Sequence, residues 1–215
     1  MKNINNEEIL KALNWRYATK VFDPTKKVSE DDLHTILESA RLSPSSNGIE
    51  MWKFIVVENK ETRQKLREAG YGQPKITDAS YLIVIAYRTD SEENLTRERI
   101  ERTAKIQNEN PDNLVGLRTT LDNTVAQKVK DGSLESWIRA QAYIPLGIMI
   151  ETASLLGIDG GPMEGFEPEK VDEILNLKER NIKSITMLAL GYRGEDPASN
   201  RPKVRREYKD VVEFI

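Results

Sequence analysis

The sequence contains no cysteine and a single histidine, His34. The first absence rules out disulfides, thiolate catalysis, iron–sulfur clusters and cysteine-ligated zinc. The second rules out a multi-histidine metal centre, so no metal site is expected. Net charge is nearly absent too: 32 Lys and Arg against 35 Asp and Glu leave −3, which gives no general attraction to nucleic acid or an anionic membrane. An anion such as phosphate must therefore be held by a local cationic cluster. No run of the chain approaches the ~20 apolar residues of a membrane span, and the first eight residues lack the apolar core of a secretory signal. The expectation is a cytoplasmic protein with no membrane and no nucleic-acid partner. Any redox chemistry would have to be carried by a bound organic cofactor.

What is present is the balance of an ordinary globular chain, 38% hydrophobic and 31% charged over 215 residues, enough for one domain covering 1–215 or one protomer of an intertwined oligomer. No repeat, low-complexity tract or linker divides it. Ile9, Leu10 and Leu13 predict a helix over about Asn6–Trp15. A second begins at Ser29, whose hydroxyl can cap the amides of Asp31 and Asp32, and runs through Leu33, Ile36, Leu37 and Ala40. Trp52–Glu58, Tyr81–Tyr87 and Ser184–Tyr192 are short runs rich in β-branched and aromatic residues and read as central strands. A helix over about Lys60–Ala69 separates the first two. From Arg88 to about Gly157 the pattern is helical, with a start signal at Asn110-Pro111. Its last part, Ser133–Gly157, is apolar nearly all round although Pro145 interrupts it. Such a helix either forms the axis of the domain or packs against its copy in a dimer. Helices and strands fall in blocks, which argues for an α+β fold.

Four polar segments sit at the edges of these elements. Arg16-Tyr17-Ala18-Thr19-Lys20 follows the first helix; its cations suit a ligand, or simply the helix dipole. Leu42-Ser43-Pro44-Ser45-Ser46-Asn47-Gly48 is an open loop of uncharged donors. It is no nucleophile elbow, since the G-x-S-x-G pattern is missing and His34 is the only possible histidine base. Gly161-Pro162-Met163-Glu164-Gly165-Phe166 has glycines that would let backbone amides approach a flat ligand, and reads equally as a tight connection. In Arg201-Pro202-Lys203-Val204-Arg205-Arg206, Lys203 and Arg205 share one side of an extended segment, as a terminal phosphate would require, though a solvated basic run has the same composition. No segment is specific alone.

Their order is specific. R-Y-A-T-K-V-F, S-P-S-S-N before W-K-F-I-V-V, Q-P-K-I-T-D-A-S, G-P-M-E-G-F and R-P-K-V-R together resemble the FMN-dependent nitroreductase family, over about Leu10 to Arg205. The resemblance implies an α+β fold with a mostly antiparallel sheet flanked by helices, in an intertwined homodimer with FMN between the protomers. It implies a strand at Val211–Ile215 reaching over the partner. Within the first FMN segment (Arg16, Tyr17, Ala18, Lys20), it places Arg16 toward the phosphate and Lys20 toward the ring. Pro44, Ser45, Ser46 and Asn47 would come from the other protomer, Gln73 and Lys75 would line the pyrimidine side, and Pro162, Met163, Glu164 and Gly165 would lie beside the flavin. Lys203 and Arg205 would clamp the phosphate. The backbone amide of Glu164 would face the reactive flavin nitrogen, and no side chain is expected to be catalytic.

By the same resemblance, electrons would pass from NADH or NADPH through the flavin to a small-molecule acceptor, such as a nitroaromatic or quinone, by a ping-pong mechanism. A flavin-storing or interaction protein of the same fold, a reductive dehalogenase-like flavoenzyme, and a cofactor-free hydrolase using Ser45 or Ser46 are the competing expectations. Three departures bear on the acceptor or the cofactor contacts. Ala18 stands where relatives often have a hydroxyl, and Tyr17 where histidine is common. Glu50 puts an acid where relatives read N-x-Q-P-W, which would disfavour anionic acceptors if it faces the substrate. Residues 107–130, which in relatives help cover the substrate, hold no aromatic.

Overall fold

The computed structural model describes residues 4–90 and 92–215. Its centre is one antiparallel sheet of order β1-β2-β4-β3, built from β1 (Trp52–Val57), β2 (Tyr81–Arg88), β3 (Asp159–Met163) and β4 (Ile182–Gly191). The two central strands are buried on both faces, and alternate residues go to opposite cores. Ile83, Ile85, Leu188 and Leu190 join one cluster with Ile36, Ala142 and Met149. Leu82, Val84, Met187 and Ala189 join the other with Leu66, Ile76 and Val171. A strand covered on both sides needs apolar residues at consecutive positions, which is why these runs read as nearly unbroken hydrophobic stretches.

The first core is closed by α2 (Glu30–Arg41) and α7 (Leu134–Leu155), the second by α3 (Lys60–Ala69), the short α4 (Lys75–Asp78) and α8 (Pro168–Ile174). The long helical region is three helices, α5 (Glu92–Gln107), α6 (Val115–Lys130) and α7, with a 3-10 turn over Pro111–Leu114 capped by the Asn110 side chain. Helix starts follow their local chemistry. Asn5 and Glu8 form a reciprocal capping box on α1 (Asn6–Trp15), at 2.8 and 3.1 Å. Ser29 caps the amide of Asp32 at 3.1 Å; the amide of Asp31 receives no such bond.

Two expectations are corrected. β1, read as a central strand, lies at an edge of the sheet and is only half-buried. The stretch Asp159–Met163 is a strand, not a tight connection, and pairs with β4 along one edge of the sheet. Val211–Ile215 follows a 3-10 turn at Tyr208–Asp210 and joins no strand among the described residues of its own chain, with Phe214 and Ile215 exposed. The long helix α7 is covered on one side within the protomer. Ile138, Ala142, Leu146 and Met149 face the core, while Tyr143, Ile144 and Leu155 are exposed by about 40% on the opposite side. Alongside it, α1 packs without burying a single residue, leaving Leu10 outward. No helix among the described residues is long and apolar enough to cross a membrane.

Candidate active site

The chain leaves α1 at Arg16 and runs extended along β3. The Thr19 amide donates to the Gly160 carbonyl (3.3 Å) and its hydroxyl to Asp159 Oδ1 (3.2 Å). Asp159 is itself held by Arg193, whose backbone amide (2.9 Å) and Nε (2.8 and 3.0 Å) donate to its carboxylate, with Nη2 at 2.6 Å. The Arg193 guanidinium also lies over the Trp15 and Tyr17 rings, 4.2 and 4.8 Å from their centroids. Tyr17 donates its hydroxyl to Asp196 at 3.0 Å; burial, then that bond, pushes its pKa up to about 12. In an extended segment alternate side chains point apart. With Tyr17 and Thr19 tied into the protein, Arg16, Ala18 and Lys20 are turned the other way.

This close approach depends on glycine. A Cβ at Gly161 would lie 2.5 Å from the Thr19 carbonyl oxygen. The glycine therefore admits another stretch of the protein's own backbone, and is not left open to a ligand as its sequence context suggested.

At the start of the segment three cations converge. Lys203 donates from Nζ to the Arg16 carbonyl. Burial, and then the charge of Arg205, lowers the pKa of Arg16. Burial, then Arg16, Arg205 and Arg193, lowers that of Lys203. Among the described residues, the ion pairs within 4.0 Å all involve other cations, and Arg16 Nε is buried with no partner. Mutually repelling, partly desolvated cations with an orphaned donor are costly unless an anion completes them. A phosphate, with its several strong acceptor oxygens and two charges near neutral pH, fits that donor set.

A second pair of cations forms where α4 meets the end of β3. Lys75 is buried at 8% exposure and its Nζ donates to the Pro162 carbonyl at 3.3 Å. Burial, and then the nearby charge of Lys20, lowers its pKa. Gln73 Nε2 donates to the Gly165 carbonyl at 2.7 Å, tying the same segment to the other end of Pro162–Gly165. Met163 is buried, its carbonyl accepting from Thr186 at 3.0 Å. Tyr143 on α7 donates to the Glu164 carboxylate; burial, then this bond, pushes the tyrosine up to about 12. The structure thus brings together Arg16 with Lys203 and Arg205, and Lys20 with Gln73, Lys75 and Pro162–Gly165.

It does not bring Pro44–Asn47 to them. The Ser46 amide donates to Gln141 Oε1 at 2.8 Å, and Ser45 Oγ accepts from the Glu50 amide at 3.0 Å. Gln141 and Tyr143 are two positions apart on α7, roughly 200° around the helix. The serine loop therefore lies on one side of α7 and Glu164 on the other. Glu50 does not present a bare charge: Arg102 pairs with it at 3.2 Å, while Arg99 and Arg102 donate to the carbonyls of Asn47 and Gly48. The Asp159–Arg193 clamp and Tyr143 escaped the sequence reading, because each acts through a partner far along the chain and belongs to no local motif.

The fold is α+β, one antiparallel sheet flanked by helices, and it gathers two cationic groups, Arg16 with Lys203 and Arg205 and Lys20 with Lys75, the first of which suits a phosphate. The sequence profile described as "Nitroreductase family" matches residues 13–192. A Staphylococcus haemolyticus protein, provisionally named an NAD(P)H nitroreductase, is 40% identical over 97% of this chain and 98% of its own. Among solved structures, that of YdfN from Bacillus subtilis, provisionally a nitroreductase, superposes with a TM-score of 0.85 at 20% identity, covering 98% of this chain and 100% of the other. That of an Exiguobacterium sibiricum protein, also provisionally a nitroreductase, was determined in complex with FMN; its TM-score is 0.77 at 21% identity, over 100% and 99% of the chains. The chain belongs to the nitroreductase family and is an oxidoreductase.

Proposed function

We propose that this protein carries electrons from NADH or NADPH, by way of FMN, to small acceptors such as nitroaromatics or quinones. The observation that carries the reading is the cluster of Arg16, Lys203 and Arg205: three cations with no carboxylate within 4.0 Å among the described residues, one with a buried unpartnered Nε. When bound, FMN supplies the two-electron chemistry that no side chain of this chain offers. Arg16, Lys203 and Arg205 hold its phosphate. Lys20 and Lys75 would stabilise the negative charge that the ring gains on reduction. Gln73 and Pro162–Gly165 would orient the ring, with the Glu164 backbone amide as a donor to its reactive nitrogen; Ala18 faces the same way as Arg16 and Lys20, while the Tyr17 side chain is turned into the protein.

The working unit in this proposal is a homodimer. Pro44, Ser45, Ser46 and Asn47, on the far side of α7 from the other groups, then complete the site of the neighbouring copy. The bare side of α7 and the unpaired tail ending in Phe214 and Ile215 give that copy an apolar surface to cover. Donor and acceptor meet the same flavin in turn, so steady-state rates follow a ping-pong pattern.

The test is anaerobic. The purified protein, loaded with FMN, is mixed with NADH or NADPH and its flavin absorbance followed, then acceptors are screened by initial rates. Bleaching by at least one nicotinamide and parallel double-reciprocal plots are expected. A protein that does not retain FMN, or whose FMN neither nicotinamide bleaches, would overturn the proposal.

A further inference from the structure

Lys75 owes its place to a residue outside every segment described so far. Arg63, on α3, is 6% exposed, and its guanidinium donates only to carbonyls: Nε to Ile76 at 2.7 Å, Nη2 to Ala79 at 2.6 Å and Nη1 to Ser80 at 3.2 Å. Burial lowers its pKa, opposed only by the charge of Asp78. These carbonyls lie within and just after α4, which has four residues and begins at Lys75. So short a helix is not self-supporting, and its last carbonyls have no partners of their own. One turn further along α3, Arg67 donates to the Gly72 carbonyl (3.2 Å) and the Thr77 hydroxyl (3.0 Å). Two arginines of one helix thus hold the whole segment that carries Gln73 and Lys75.

The planar fork of arginine suits this task, since it reaches three carbonyls at fixed angles. Lysine would bring the same charge as a single point. We infer that Arg63 is a positioning residue: it fixes α4 so that the Lys75 ammonium stays against the end of β3, and through Lys75 it sets how readily the cofactor there accepts electrons. The inference rests on the proposed placement of Lys75 at the ring edge of FMN.

The experiment compares midpoint potentials of the FMN-loaded wild type, R63Q, R63K, K75Q and the double variant R63Q/K75Q by anaerobic spectroelectrochemical titration. K75Q removes a cation from the reduced ring and should lower the potential. R63Q should lower it in the same direction, and the double variant should match K75Q alone, because Arg63 acts through Lys75. R63K, which keeps the charge but loses the fork, should shift like R63Q, and it decides the matter if R63Q does not fold. Additive shifts, an R63K protein at the wild-type potential, or an unshifted R63Q beside a shifted K75Q would each overturn the inference. An unshifted K75Q would instead refute the placement of Lys75 at the ring edge, and the inference with it.

Discussion

Lys203 donates from its ammonium to the backbone carbonyl of Arg16, 187 positions earlier in the chain. The contact joins the last segment of the protein to the first, and it places a second cation beside a guanidinium whose Nε is buried without a partner. Like charges are thereby concentrated at one place, and the phosphate proposed for this cluster would relieve their repulsion.

The first prediction follows. Replacing Lys203 and Arg205 together by alanine should weaken FMN binding by at least about a hundredfold, since charge-assisted hydrogen bonds contribute about 1.5–3 kcal/mol each. The loss should be smaller at high ionic strength, where the wild-type protein also binds less well. Fluorescence titration of the apoprotein with FMN measures it. Wild-type affinity in the double variant would remove the phosphate from this cluster.

The glycine pair on β3 separates packing from flexibility. At Gly161 a methyl group would meet the Thr19 carbonyl at 2.5 Å, whereas at Gly160 the nearest atom would be Leu188 Cδ1 at 3.5 Å, an ordinary contact. Gly161→Ala should therefore cost about 1–3 kcal/mol of stability and weaken FMN binding, because the Arg16–Lys20 segment must move away. Gly160→Ala should cost well under that. Urea unfolding with FMN titration on both variants distinguishes them; equal effects would show that the Thr19 contact is not what selects glycine.

The same residues explain how far the sequence could be read. β2 and β4 were legible because burial on both faces forces unbroken apolar runs, and β1, at the sheet edge and half-buried, because its residues are β-branched and aromatic. β3 was not, since Gly160, Gly161 and Pro162 are poor strand formers. It exists because β4 offers an edge to pair with and Thr19 needs room. The cations of the site were legible from the order of motifs, and the structure gathers them into two groups. Asp159, Arg193 and Arg63, which hold those cations in place, act through carbonyls and rings distant in sequence and leave no local pattern. Leu146, by its hydrophobic setting alone, could have faced either the core or another copy; at 8% exposure it belongs to the core.

Tyr17 gives a pH signature. Its folded pKa is raised to about 12 by burial and by its hydrogen bond to Asp196, while in the unfolded chain the phenol ionises near its usual value of about 10. The stabilising contribution is thus complete below pH ~10 and is lost as pH rises from there through ~12. Wild-type stability should fall across that window more steeply than that of Tyr17→Phe, which has no phenol to ionise. Denaturant unfolding at several pH values on the alkaline side reads the difference. Parallel curves would mean that the Tyr17–Asp196 bond does not persist in solution.

The exposed side of α7 supplies the remaining prediction. Ile144 is 37% exposed in the protomer and lies on the same side as Tyr143 and Leu155. A charge there costs a lone protomer little, but an isolated carboxylate buried between two copies costs several kcal/mol. Ile144→Glu should therefore leave the fold intact while shifting sedimentation from dimer to monomer. It should also lower FMN retention, because Ser45 and Ser46 would no longer reach a neighbour's site. Leu146→Asp serves as the contrast: its side chain is in the core, so it should unfold the chain instead of dissociating it. An Ile144→Glu protein that sediments as a dimer would put the interface elsewhere. A folded monomer with undiminished FMN would show that the serine loop is not shared between copies.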